Sequence, residues 1–259
     1  MISQPTRAED FRLYRWERPD WWLTLVVSAA WVILVAEAVG GAIATQRGGL
    51  VSGLMAVCVI PVAVSSNLLA SVGDWALMVA AVMLPLAASD ARWLAHRSFA
   101  ARRQRSVVLH VAAFFAAWLT VGVIAIITTQ ALGGGAFLAA AALGAAGLWH
   151  VTPMRRRALR RCGAGRLPAV RGIRADLDCL RAGTRSARDS LLTCGLAMLS
   201  MAVIHSFAIM ALLTILGLNE RRQGPNPERR VARPREALGL IAVACVVAIP
   251  DSVIGAIPK

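Results

Sequence analysis

Residues 147–162 read GLWHVTPMRRRALRRC: an apolar segment ends in Trp149-His150, turns at Thr152-Pro153 and runs into a block of arginines. Two fold classes answer to such a block, a soluble basic domain that binds nucleic acid or a membrane protein whose charges sit at the bilayer surface. The rest of the chain separates them. Of its 259 residues 58% are hydrophobic against a formal net charge of +14, and the mean hydropathy is +0.62. Soluble domains carry about 45–50% apolar residues, and the aromatic interleaving that stacks nucleic-acid bases is lacking. The composition assigns an all-α, polytopic transmembrane helical bundle and leaves no nucleic acid among the partners.

A spanning helix needs roughly 20 mostly apolar residues. Seven stretches approach this, 21–45, 50–71, 74–90, 106–130, 135–152, 188–218 and 237–256, so six to seven spans are expected within a transmembrane domain at 21–256. Residues 1–20 form a cytoplasmic N-terminal segment, 154–186 a basic cytoplasmic loop and 219–236 a second basic loop. Counting Arg and Lys by loop fixes the orientation. With 50–71 not spanning and the N-terminus inside, the inner loops hold 20 basic residues and the outer loops 7. If 50–71 does span, the balance falls to 17 against 10.

The Arg155, Arg156, Arg157, Arg160 and Arg161 run then lies against anionic lipid, where each charge gains about 1 kcal/mol. Trp21, Trp22, Trp75, Trp93 and Trp149 fall at span ends, where an indole sits at headgroup level. His150 and His110 are expected at the same interfaces. CVIPVAVSSN (58–67) and VMLPLAASDA (82–91) superpose Pro61 on Pro85. The echo reads either as a duplicated proline-kinked helix or as coincidence between apolar segments.

One constellation suits chemistry. Cys194, Met198, Met201 and His205 are spaced four, three and four, which on a continuous helix places them within roughly 60° of one another. Ser190 precedes them on the same stripe. Thiolate, thioether and imidazole suit copper(I) or another soft transition metal. Met and Cys also pack as ordinary apolar residues, so the stripe reads as a ligand set or as core. An imidazole at mid-membrane depth is costly and normally faces a partner or cavity. The five cysteines are scattered without a CxxC pair, and HExxH, GxSxG, P-loop and GxGxxG signatures are missing, so no enzyme class is assigned.

Four stretches taken together resemble a bacterial family of unknown function described as predicted metal-binding integral membrane proteins. They are WALMVAAVMLP (75–85), RSFAARRQR with AAFFAAWLTVG (97–105, 112–122), VTPMRRRALRRC (151–162), and GTRSARDSLLTCGLAML (183–199) closing on NER (219–221). The resemblance implies a multi-pass protein of the bacterial cytoplasmic (inner) membrane that handles or transports a metal, with Met83 and His150 as further candidate ligands. The chain departs from the family pattern in its fourth motif, where three cysteine positions are Ser190, Thr193 and Cys194 and the tryptophan position is Gly195. A reading of another class stays open: a non-catalytic membrane subunit or scaffold that binds a partner protein or a second copy of itself.

Overall fold

The fold is described from a computed structural model, over residues 18–44, 60–61, 67–132, 136–161, 172–202, 204–205 and 207–222. These residues are almost entirely helical. In chain order the elements are α1 (Trp21–Ala44), β1 (Ile60–Pro61), α2 (Leu68–Val82), α3 (Leu84–His96), α4 (Arg103–Ala131), α5 (Ala136–His150), α6 (Pro153–Arg161), α7 (Gly172–Ser200), β2 (Ile204–His205) and α8 (Phe207–Arg222). A single 3₁₀ turn, Ala100–Arg102, leads into α4.

Two helices are long and apolar enough to cross a membrane, within Trp21–Gly40 and Ala100–Ala131, or three if the bent pair α2–α3 is one span. This corrects the expectation of six to seven spans for the described residues. Stretch 74–90 belongs to a pair bent by 58°, while 135–152 and 188–218 yield only the shorter apolar helices Ala140–Trp149 and Met210–Asn219. Stretch 237–256 and most of 50–71 lie outside the described residues.

The bend has a local cause. Pro85 offers no N–H, so the Ala81 carbonyl four residues earlier loses its helical donor. The Trp31 indole supplies a replacement, donating Nε1–H to the Ala81 oxygen at 3.1 Å, while Met83 O accepts from both Leu86 and Ala87 at 3.1 Å. Asp20 reinforces the α1 contact: it is buried and receives the Arg92 guanidinium through Nε at 3.1 Å and Nη2 at 2.7 Å. Pro61 takes a different course from Pro85. It lies in a two-residue antiparallel bridge, Ile60 opposite His205 and Pro61 opposite Ile204, so the two prolines of the 58–67/82–91 echo differ in backbone setting, while 58–59 and 62–66 lie outside the described residues.

The deepest packing joins α4 and α7. Ser106 contacts Cys179, and the His110 carbonyl lies against Gly183 one turn further along both helices, so the two run in the same direction with partners 73 residues apart. Arg102 and Arg105 close the N-terminal end on Asp176, the latter at 2.7 Å. Small residues make the approach possible: Ala175, Cys179, Gly183, Ala187 and Ser190 form the buried ridge of α7. Ser106, His110, Phe114, Trp118 and Gly122 form the opposing ridge of α4. A Cβ on Gly183 would stand 2.2 Å from the His110 carbonyl oxygen, and one on Gly122 would enter the Trp75 ring.

Helix 188–218 is not continuous. α7 ends at Ser200 with tightened bonds, Met201 N–H to Met198 O at 3.0 Å and Ala202 N–H to Leu199 O at 3.1 Å, and the backbone then enters β2. β-branched Ile204 favours extended backbone over helix, and β1 provides the edge that β2 pairs with.

Gly183→Ala should destabilise the bundle by about 1–3 kcal/mol through overpacking against fixed backbone. Gly144→Ala, where a Cβ meets nothing within 4 Å, should be neutral or slightly stabilising. Thermal unfolding of both variants in detergent measures the contrast, and equal midpoints would contradict the close approach.

Candidate metal centre

The first polar group above the Gly183 crossing is Ser190, at 1% exposure on the inner ridge of α7. Its hydroxyl donates to Met83 Sδ at 3.6 Å, joining α7 to the α2–α3 bend. The Ser190 carbonyl accepts the Thr193 hydroxyl at 3.0 Å and the Cys194 thiol at 3.4 Å, and Thr193 Oγ1 is itself 3.4 Å from Cys194 Sγ. Met198 and Met201 are fully buried in the hydrophobic core that also contains Met78, Met83 and Met210, with Cys194 packed against it. Of these thioethers, that of Met83 reaches α7 through Ser190.

The third motif clamps the same turn of α7 from the other side. Trp149 at the end of α5 donates Nε1–H to the Leu192 carbonyl at 2.7 Å, and Arg155 on α6 donates Nε–H to the Thr193 carbonyl at 2.9 Å. Arg155, expected at the lipid surface, is instead buried at 3% exposure, on the same face of α6 as buried Ala158. Arg157 is exposed, and the side chains of Arg156, Arg160 and Arg161 lie outside the described set. Trp75, expected at headgroup level, is a core ring: its Nε1–H reaches the Trp118 carbonyl at 3.0 Å and the two rings tilt at 38°.

Of the four residues read as one stripe, Cys194 and Met198 share α7, Met201 follows in the closing turn and His205 stands on β2. The four-three-four spacing therefore does not extend to His205, because the helix that would carry it has ended. Ser190 and Met83 do come together. His150 terminates α5. His110, expected at an interface, is 2% exposed between α4 and α7. The inward Arg155 and the Trp75–Trp118–Gly122 packing were missed; the i, i+3 pair Arg155/Ala158 was the one sequence signal for the former.

Among the described residues no group of three or more His, Cys, Asp or Glu comes together, so a nitrogen- and oxygen-rich site is not formed there. What α7 and the bend offer instead are the half-buried Cys194 thiol and the buried thioethers of Met83, Met198 and Met201. That chemistry fits a soft monovalent ion such as copper(I), whose single charge costs least to desolvate.

A family model described as copper chaperone (PpoB2) matches residues 72–249. The chain belongs to this family. The match begins ahead of Trp75 and takes in α7, agreeing with the metal relation implied by the resemblance at 75–222. No curated protein and no solved structure matches the chain. Copper is thus the metal that the family's description names.

Cys179 provides an internal contrast to Cys194. Burial pushes its thiol above the ordinary cysteine range, against the opposing effect of the Ser106 hydroxyl. A raised value keeps the thiol neutral at pH 7 to 8 and makes thiolate appear only as pH climbs beyond the usual range. In single-cysteine variants, Cys179 should label with maleimide at least about tenfold more slowly than partly buried Cys194 at pH 7.5. Its rate should still be rising at pH 9.5; equal rates at pH 7.5 would refute the contrast.

Proposed function

We propose that this chain binds copper(I) as cargo within a helical bundle of the bacterial cytoplasmic membrane, holding it at Met83, Cys194, Met198 and Met201 for transfer or transport. The observation that carries the reading is the Ser190–Met83 contact, which places a thioether from the α2–α3 bend over the turn of α7 bearing Cys194. Family membership supplies the copper, and the two long apolar helices support the membrane setting. Ser190 orients Met83, Thr193 orients the thiol, and the Arg155–Trp149 clamp fixes the backbone turn on which both sit. His205 belongs to the same proposal as an imidazole donor, its backbone held opposite Ile60.

Thioethers exchange quickly on copper(I), so a row of them suits an ion that must leave again. The thiolate of Cys194 supplies the negative charge that neutralises the ion in the dry core, and a proton is released as the ion binds. The exposure of Arg157 on α6 supports a contact of the basic run with anionic lipid.

Metal analysis of detergent-purified protein loaded with copper(I) under reducing conditions tests the site. Removing a ligand should cost at least the 10–100-fold in affinity typical of an outer-shell change, so Cys194→Ser with Met83→Leu should leave little copper after dialysis. Cys194→Ser with His205→Ala is the companion variant that tests the imidazole. Unchanged copper content in the first variant, with helicity retained, would sink the assignment.

A further inference from the structure

The face of α7 turned away from the core carries Arg174, Arg181, Arg185 and Arg188, all exposed. Spaced seven, four and three, they fall within about 60° around the helix and rise roughly 21 Å along it. Leu177 and Leu192, also exposed, continue the same stripe. Asp178 and Asp189 flank it, 3.7 Å from Arg181 and 3.4 Å from Arg188, yet those arginine side chains remain 66% and 63% exposed.

Three coverings for such a face can be compared. Hydrocarbon is excluded, since each arginine would cost about 2.5–3.5 kcal/mol or more at bilayer depth. Lipid headgroups fit poorly: α7 runs alongside α4, a helix long enough to cross, so the ladder climbs along that axis, whereas the headgroup zone is only about 5–7 Å deep on each side. A protein face fits both the length and the composition. Arginine is enriched in protein interfaces, the two exposed leucines add apolar surface beside it, and the charge calls for carboxylates opposite.

We infer that the Arg174–Arg188 ladder docks an acidic amphipathic helix of a partner protein, laid along α7 with its glutamates against the arginines and its apolar residues against Leu177 and Leu192. The Leu192 end of that track is two residues from Cys194 on the same helix, so the docked helix ends near that thiol.

The probe is a fluorescent 20-residue glutamate/leucine amphipathic peptide, titrated by anisotropy into full-length, metal-free protein in zwitterionic lipid nanodiscs. Arg181→Glu with Arg185→Glu should weaken binding by about tenfold or more, while Arg18→Glu with Arg97→Glu, an equal charge change at exposed positions elsewhere, should cost less than about twofold. Circular dichroism and elution volume report on folding, and Arg181→Gln with Arg185→Gln is read if the reversal disturbs either. Equal losses from the two pairs, or no loss from the ladder pair, would overturn the inference. So would a larger effect of the ladder pair on phosphatidylglycerol vesicles or on a duplex oligonucleotide than on the peptide. Because no copper is present, the outcome is separate from the fate of the copper site.

Discussion

The bundle depends on how closely α4 and α7 approach at Gly183. A carbonyl oxygen of one helix occupies the space where a side chain of the other would begin, so the two axes are set by backbone contact. From that crossing, Ser106 and Cys179 lie one turn below and Ser190 above, and the Met83 thioether follows from the position of Ser190. Between these two helices in the chain come α5 and α6, which leave Trp149 and Arg155 on α7 at Leu192 and Thr193.

Around this pair, further contacts hold the bend that carries Met83. Pro85 bends the α2–α3 chain and thereby turns Met83 towards α7, at the cost of a carbonyl without its helical donor; Trp31 answers that deficit. A buried carbonyl left unsatisfied costs about 1–3 kcal/mol, so the indole is as much a part of the bend as the proline. Asp20 and Arg92 fasten the other end of α1 to α3, and α1 thereby braces both arms of the bend.

The sequence made α1 and α4 legible because each is a long apolar run with no competing signal, and it marked the bend through Pro85. Ser190, Cys194 and Met198 could be placed on one helix from their spacing alone. Two things were hidden. The end of α7 at Ser200 carries no glycine or proline, and the strand that pairs with it lies more than 140 residues earlier, at Ile60. Arg155 was hidden because five arginines in nine residues of α6 read as a wholly solvated helix, whereas one of them meets a carbonyl that only the tertiary fold presents. Local pattern therefore places residues on one helix more readily than it shows what holds that helix in the fold.

The parallel pairing also sets a schedule for synthesis. Ser106 and His110 are buried only once α7 arrives, and their partners are made 73 residues later. At roughly 5–20 residues per second the ribosome needs about 4–15 s to cover that interval. Through that window the nascent α4 presents a polar ridge with no mate, which must be sheltered by the insertion machinery or by the α2–α3 pair already made. A copper site at Met83 and Cys194, as proposed above, would accordingly be completed late in the life of the chain, because its two halves meet only after α7 has been synthesised.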